Sequence, residues 1–109
     1  MILEYQKFPL CRMTGYEKKT TFWNDFTIAD AFGKSAVQDT FNRAFSEWKT
    51  NLEYVTELVL VLNWKMWQHS DNGNIEFGRL YEKLWRKTDN WCMKNLKGDE
   101  LSYYLKTID

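Results

Sequence analysis

The sequence contains very little proline and glycine. Among its 109 residues are one Pro and five Gly, whereas an all-β fold needs many tight turns, which these residues usually supply. Disordered chains are also usually rich in Pro and Gly and poor in aromatic residues. No apolar run approaches the ~20 residues that span a bilayer. The composition therefore argues against an all-β fold, a disordered chain and a transmembrane protein.

An excess of charge of either sign is also missing. Fifteen Lys and Arg balance fifteen Asp and Glu, so the formal net charge is zero. General nucleic-acid binders and basic membrane-surface proteins usually carry a marked basic excess, so the balance argues against both classes and leaves only a local patch open. The first eight residues are too short and too charged to serve as a signal peptide. We therefore expect a cytoplasmic protein.

The two cysteines, Cys11 and Cys92, are far apart and fit no metal spacing. In a reducing cytoplasm they are expected to be free, partly buried thiols, and a disulfide between them is the alternative. There is no Gly-rich phosphate loop and no catalytic motif. The acidic turn at residues 70–74 lacks the spacing of a calcium loop. The sequence therefore predicts no enzyme, no metal and no cofactor.

His69 is the only histidine. A catalytic role would need a carboxylate or nucleophile within hydrogen-bond reach, and only a neighbouring helix could supply one. The alternative is a structural histidine, or an exposed one favoured by the negative end of its helix dipole. An enzyme or ligand binder built on His69 is the least favoured of three functional hypotheses.

Aromatic residues are abundant, at 17% of the chain with six Trp. Each can bury about 150–250 Å², so a chain of this length can form a substantial core. Near the middle, five apolar residues run without a break from Leu58 to Leu62, and Trp64 and Trp67 follow. An amphipathic surface helix instead alternates with a period near 3.6. This segment is therefore predicted to be a central helix that is covered on more than one side.

Apolar spacing predicts five helices joined by short connections. Their approximate ranges are 21–32, 36–49, 52–69, 75–96 and 99–106. We predict an all-α fold: a compact four- to five-helix bundle with a central buried helix and an N-terminal extended arm. The arm is assigned to residues 1–19 and the bundle to residues 20–109. Residues 1–12 are predicted to be dispensable for cooperative unfolding, because they lack helical periodicity and contain Pro9.

Local signals predict how several helices begin and end. Ser35 with Gln38, and Thr50 with Glu53, have the spacing of capping boxes. Asp99 is predicted to cap the last helix, and Gly33 to end the first.

A second apolar row on the central helix is formed by Leu60, Trp64 and Trp67, spaced for one helix face. It can pack within the chain, form an interface with a protein partner or a second copy, or line a small-molecule pocket. Our first hypothesis is a non-enzymatic protein-interaction protein that buries this row on a protein partner or, as a homodimer, on a second copy. Trp23 is a further candidate for the same interface.

The fourth helix carries a basic arc opposite its apolar face. The arc consists of Arg79, Lys83, Arg86, Lys87, Lys94 and Lys97. Phosphates of a nucleic acid could lie along such a row, which gives the second hypothesis, a nucleic-acid-associated accessory protein. Glu76 falls within the arc, and Glu82 and Asp89 flank it, so an ordinary solvated helix face is the competing interpretation.

Four segments carry a resemblance: FTIADAFG, DTFNRAFSEWK, ELVLVLNWKMWQH and NLKGDELSYYLKTID. Over about residues 20–109, the chain resembles a group of small proteins carried on phages and conjugative elements of Gram-positive bacteria. That group has no assigned activity, so the resemblance assigns no functional residue. It implies an accessory or host-interaction role in a mobile genetic element, in the cytoplasm.

Overall fold

The computed structural model describes the backbone of residues 17–108 and the side chains of residues 22–108. Over this range the chain forms five helices and no strand. They are α1 (Glu17–Phe32), α2 (Lys34–Trp48), α3 (Leu52–Asp71), α4 (Ile75–Asn95) and α5 (Asp99–Ile108). The prediction of an all-α bundle is confirmed. Helix α1 begins before residue 21, so residues 17–19 belong to it, while the rest of the predicted arm lies outside the described residues.

Helix α3 is the centre of the bundle, as its apolar run predicts. It contacts all four other helices, and an unbroken stretch from Val55 to Asn63 is buried. Lys65 and Met66 extend this buried stretch toward the C-terminal end of the helix. Because neighbours lie on several sides of α3, a one-sided amphipathic pattern would leave unpaired polar groups inside.

The core consists of two apolar clusters that share α3. The larger one joins α1–α4 and contains Phe22, Phe26, Ala29, Val37, Phe41, Leu58, Val61, Leu62, Met66, Tyr81 and Leu84. The smaller one joins α3–α5 and contains Val55, Val59, Cys92, Leu96 and Tyr104. The polar side chains that matter below lie at the edges of these two clusters.

The predicted helix caps are wrong in three places. The Asn51 side chain, not that of Thr50, caps α3 by accepting a hydrogen bond from the Tyr54 backbone N–H at 3.1 Å. The chain reverses just before α3, which leaves Asn51 in the extended conformation that a cap requires. Helix α2 starts directly after Gly33, so Ser35 lies inside it without a capping role, and Asp99 is itself the first residue of α5.

A turn is present in the predicted segment 70–74, but α3 extends through Asp71, so the turn is shorter than predicted. Gly73 has a φ of +78°, a conformation that side-chain-bearing residues rarely adopt. Its N–H donates to the carbonyl oxygen of Ser70, and the N–H of Asn74 donates to that of His69 at 2.8 Å. This pair of bonds is a Schellman motif. It ends α3 and turns the chain so that α4 packs antiparallel along α3.

Candidate functional site

A buried polar cluster joins α1, α3 and α4 around the carboxylate of Asp30. Lys65 Nζ lies 2.8 Å from Asp30 Oδ2, and His69 Nε2 lies 2.9 Å from the same oxygen. The Tyr81 hydroxyl donates to Oδ1 at 2.6 Å. One carboxylate on α1 is therefore held by two residues of α3 and one of α4. We call Asp30, Lys65, His69 and Tyr81 the Asp30 cluster.

Because the cluster is largely buried, each charge in it needs the opposite charge beside it. The Lys65 side chain is 1% exposed and that of Asp30 is 16% exposed. Lys65 Nζ also donates to Thr27 Oγ1 at 3.0 Å and to Gln68 Oε1 at 3.2 Å, and it lies 4.4 Å from the centre of the Trp23 ring. An ammonium group this deep is tolerated only with such partners, so the cluster is a neutralised ion pair with its donors in use.

Tyr81 remains a hydrogen-bond donor in this setting. Burial, together with the adjacent Asp30 carboxylate, raises the pKa of the Tyr81 hydroxyl well above its usual range. Its ring also stacks on the imidazole of His69, with centroids 5.4 Å apart and planes 8° apart. The phenol therefore stays protonated at physiological pH and serves to position the Asp30 carboxylate.

His69 has the carboxylate partner that a catalytic role requires, but neither ring nitrogen is left for a substrate. Nε2 faces Asp30 at 2.9 Å, and Nδ1 lies 3.3 Å from the side-chain nitrogen of Asn74. The simplest assignment has Nε2–H donating to Asp30 while Nδ1 accepts from Asn74. General acid–base catalysis would need one of these bonds to open. The arrangement favours a structural histidine that links the end of α3 to α1.

A second, partly buried hydrogen bond joins α5 to α4. The Tyr104 hydroxyl donates to Asp89 Oδ1, and Cys92 lies beside it in the smaller core cluster. Burial, with a further contribution from Asp89, raises the pKa of the Cys92 thiol to about 12. Cys92 is a free, buried cysteine, and Cys11 lies outside the described residues. A thiol with such a pKa is a poor nucleophile at neutral pH, so this group packs the core.

The four residues predicted to form an interface do not form one continuous surface. Leu60 is 4% exposed. The indoles of Trp23 and Trp64 pack on each other, with ring centroids 4.7 Å apart. Trp67 packs against the larger core cluster and lines a groove beside α4. One part of the row, Trp64, therefore packs within the chain against Trp23. Another part, Trp67, lines a groove.

An exposed apolar surface that the sequence analysis missed lies between α1 and α2. Ile28 is 60% exposed and Phe32 is 79% exposed, and they follow each other by one helical turn. The groove beside them has a volume of about 430 Å³. We call it the α1–α2 groove, and its lining is Asp25, Ile28, Ala29, Phe32, Ala36, Asp39, Thr40 and Arg43. Spacing alone places Phe32 on the same helix face as the buried Phe22, Phe26 and Ala29, but Phe32 is the last residue of α1, where the chain turns away.

The basic arc on α4 is partly present as a surface. Arg79, Lys83, Arg86 and Lys87 are exposed and line one shallow groove together with Glu82 and Asn90. Arg86 donates to Glu82 through Nε and Nη2 at 3.1 and 2.9 Å. Lys94 is exposed at the end of α4, and Lys97 lies beyond the helix. Four of the six predicted cations therefore line one groove. One of the four, Arg86, is neutralised by Glu82.

Neither metal ligands nor a membrane span emerges from the part of the chain that the structure describes. Within residues 17–108, no group of three or more His, Cys, Asp or Glu side chains could hold a metal ion. No helix in that range is long and apolar enough to cross a membrane. No family model, curated protein or solved structure matches this chain. Function therefore has to be argued from its surfaces.

Proposed function

We propose that this chain is a non-enzymatic interaction protein that self-associates through the α1–α2 groove. The observation that carries the proposal is the exposed pair Ile28 and Phe32. Scattered exposed apolar residues are common, but two of them on one helix face beside a concave surface are typical of an interaction site. A phenyl ring that is 79% exposed also has the size of an interface anchor.

The charges around the pair favour a second copy as the partner. Asp25 and Asp39 supply negative charge, and Arg43 supplies positive charge, at the same groove. A twofold contact places the same patch against itself, so each patch must complement its own charges. Arg43 of one copy can then approach an aspartate of the other. The zero net charge of the chain adds no overall repulsion between copies.

The test compares two variants that each remove one exposed apolar side chain. Phe32→Ser removes the anchor, while Met93→Ser removes an exposed residue on α4, away from the groove. Sedimentation velocity of the wild type is expected to show a monomer–dimer equilibrium at micromolar concentrations. Phe32→Ser should shift that equilibrium to the monomer, and Met93→Ser should leave it unchanged. A wild type that stays monomeric at high micromolar concentration would contradict self-association.

The originally predicted row is tested separately. Trp64→Glu places a charge against the Trp23 indole. Loss of helical circular dichroism would assign the Trp64 side of the row to intramolecular packing. Dimer loss with helical content retained would instead favour the Trp64 surface over the α1–α2 groove.

A nucleic-acid-associated function is the second candidate, because Arg79, Lys83 and Lys87 gather on one exposed face of α4. Such binding would weaken steeply with added salt as counterions are released. Titration of a fluorescent duplex at several salt concentrations tests it. A Lys83→Gln variant should lower the salt slope by about one. Lack of binding even at low salt would contradict this candidate.

The setting of the proposed role follows from the resemblance to small phage and conjugative-element proteins. An accessory protein of a mobile genetic element would act in the cytoplasm of the host cell. Integrase, replication or transfer genes beside its own gene would support this setting. Cell fractionation of a tagged chain would test the cytoplasmic location.

A further inference from the structure

A second groove, between α3 and α4, has the composition of a ligand site. Its volume is about 640 Å³, within the range of small-molecule pockets. We call it the α3–α4 groove, and its lining is Asn63, Met66, Trp67, Ser70, Ile75, Gly78, Arg79, Glu82, Trp85 and Arg86. The α1–α2 groove shares none of these residues. Two indoles, one from each helix, supply the large apolar surfaces.

The helices meet closely at one end of this groove. A Cβ atom added to Gly78 would lie 2.7 Å from Ser70 Oγ, a distance that real contacts avoid. Glycine at this position lets α4 approach α3 just beside Met66 and Trp67. Ser70 and Gly78 line the groove at this close approach, and Trp67 and Trp85 line it as well.

Two polar side chains of the groove have no partner among the described residues. The Asn63 side-chain oxygen is buried without a hydrogen-bond partner, and the residue is 5% exposed. A buried amide in that state carries a desolvation cost. Arg79 makes no ion pair with any described residue, whereas Arg86 is held by Glu82 and lies 5.3 Å from the Trp85 ring centre. The groove therefore offers one uncommitted cation and one uncommitted amide.

We propose that the α3–α4 groove binds a small aromatic carboxylate. The ring would lie against Trp67 and Trp85, since flat apolar groups pack well on indoles. The carboxylate would accept charge-assisted hydrogen bonds from the guanidinium of Arg79. A carboxylate accepts hydrogen bonds only, so the Asn63 atom that can bind it is the amide nitrogen, since Oδ1 is an acceptor and is closed off from solvent. Adjustment of χ2, which is a soft torsion in Asn, would aim Nδ2 at the ligand.

The charge of the site selects an anion. Glu82 and Arg86 neutralise each other at the rim, so the net charge left in the groove is that of Arg79. A neutral ring would gain only the apolar contacts, and a cationic ligand would be repelled. The proposal does not depend on self-association, because the two grooves share no lining residue.

The first experiment uses three probes of nearly equal shape. Phenylacetate is the aromatic anion, phenylacetamide is its neutral counterpart, and cyclohexylacetate keeps the charge without the aromatic ring. Indole N–H resonances are followed by NMR, with those of Trp67 and Trp85 assigned through Trp67→Phe and Trp85→Phe. Phenylacetate should shift these two resonances selectively, and phenylacetamide should bind about tenfold more weakly. Equal binding of anion and amide, or no selective shift, overturns the proposal.

A charge-matched pair of variants locates the anion. Arg79→Gln should weaken phenylacetate binding about tenfold. Lys83→Gln removes the same charge one turn further along α4, outside the groove lining, and should leave the affinity within about twofold. If both variants weaken binding equally, a diffuse basic surface rather than a site attracts the anion, and the proposal fails.

The Asn63→Leu variant tests whether Asn63 contributes to ligand affinity rather than to thermal stability. Leu fills a similar volume and removes the unpartnered amide, so the thermal midpoint should stay the same or rise. Phenylacetate affinity should fall about threefold or more, because one hydrogen bond to the ligand is lost. A lowered midpoint would show that Asn63 has a structural partner, which would remove it from the site. An unchanged affinity would remove it as well and leave Arg79 as the only polar determinant.

Discussion

The two ends of helix α3 differ in how the polar side chains packed beside them are hydrogen-bonded. At its C-terminal end, the Asp30 cluster buries a full ion pair with several donors around one carboxylate. At its N-terminal end, a single partly buried hydrogen bond runs from the Tyr104 phenol to the Asp89 carboxylate, beside the Cys92 thiol of the smaller core cluster. The first arrangement links three helices through several bonds to one carboxylate. The second links only α4 and α5 through one bond.

This difference predicts which end tolerates change. In the Asp30 cluster, removing a donor leaves the carboxylate with other donors, but removing the carboxylate leaves the buried Lys65 ammonium without a counter-charge. In the smaller cluster, removing either partner breaks the only such bond. The loss of stability on substitution therefore depends on which residue of the Asp30 cluster is changed. At the second end, changing either Tyr104 or Asp89 breaks the same bond.

The largest effect is expected for Asp30→Asn. Lys65 is almost fully buried, and loss of its counter-charge leaves an unpaired buried cation. Such a change costs about 3–5 kcal/mol. The free energy of unfolding from urea titration measures it. Lys65→Met should cost less, because Tyr81 and His69 still donate to Asp30.

The double variant Asp30→Asn with Lys65→Met completes this test. It should be more stable than Asp30→Asn alone, because the uncompensated charge is gone. A double variant whose loss equals the sum of the two single losses would show that the charges are not coupled.

The next effect concerns the apolar packing of the central helix. Leu62 is fully buried in the larger cluster, so Leu62→Ala should lower the free energy of unfolding by about 3 kcal/mol. Leu105→Ala, at an exposed position of α5, should change it by less than about 0.5 kcal/mol. A loss below about 1 kcal/mol at Leu62 would contradict the central position of α3.

The apolar packing of α3 could be predicted from sequence, but the Asp30 cluster could not. Helix positions follow from local spacing, and the unbroken apolar run indicates burial on several sides. The cluster instead joins residues 35 and 51 positions apart in sequence, and Asp30 and Tyr81 each resemble ordinary helix residues. Lys65 gave the one local signal, since a lone cation inside an apolar segment needs a buried partner.

The same limit explains why the neighbours of the aromatic row could not be predicted. Spacing placed Leu60, Trp64 and Trp67 on one face, but it does not determine which neighbour covers that face. Trp23 covers Trp64, while Trp67 lies beside α4. Three of the five helix starts were predicted correctly, at residues 52, 75 and 99, whereas α1 and α2 begin earlier than predicted, at Glu17 and Lys34. The capping residues were misassigned because several good candidates stand next to each other, and the turn geometry selects among them.

A matched pair of tyrosine variants compares the two ends directly. Tyr104→Phe removes the only hydrogen bond that Asp89 receives from a described side chain, so it should cost about 2 kcal/mol. Tyr81→Phe removes one of several donors to Asp30 and should cost less. Both variants keep the ring, and urea titration measures both. A larger loss for Tyr81→Phe would reverse the proposed difference between the two ends.

The smallest effect is expected at alkaline pH, at the α5 end. The pKa of Cys92 is raised to about 12 in the folded chain, while an unfolded thiol titrates near 8.5. The unfolded state therefore loses this proton first, and rising pH favours unfolding. The stability that the buried thiol contributes is complete below about pH 8.5 and is lost progressively between there and about pH 12.

Cys92→Ala isolates this contribution. Wild type and variant share every other titrating group. Cys92 also contributes to the raised pKa of Tyr104, but burial and Asp89 keep that phenol protonated in the folded chain below about pH 10, so the difference between the unfolding free energies there reports mainly the thiol. Between about pH 8 and pH 10 the wild type should lose up to about 1 kcal/mol more than the variant, after allowance for partial screening by solvent. Parallel pH profiles would mean that water reaches Cys92. The smaller cluster would then open where α5 packs on α4, which is the end held by a single hydrogen bond.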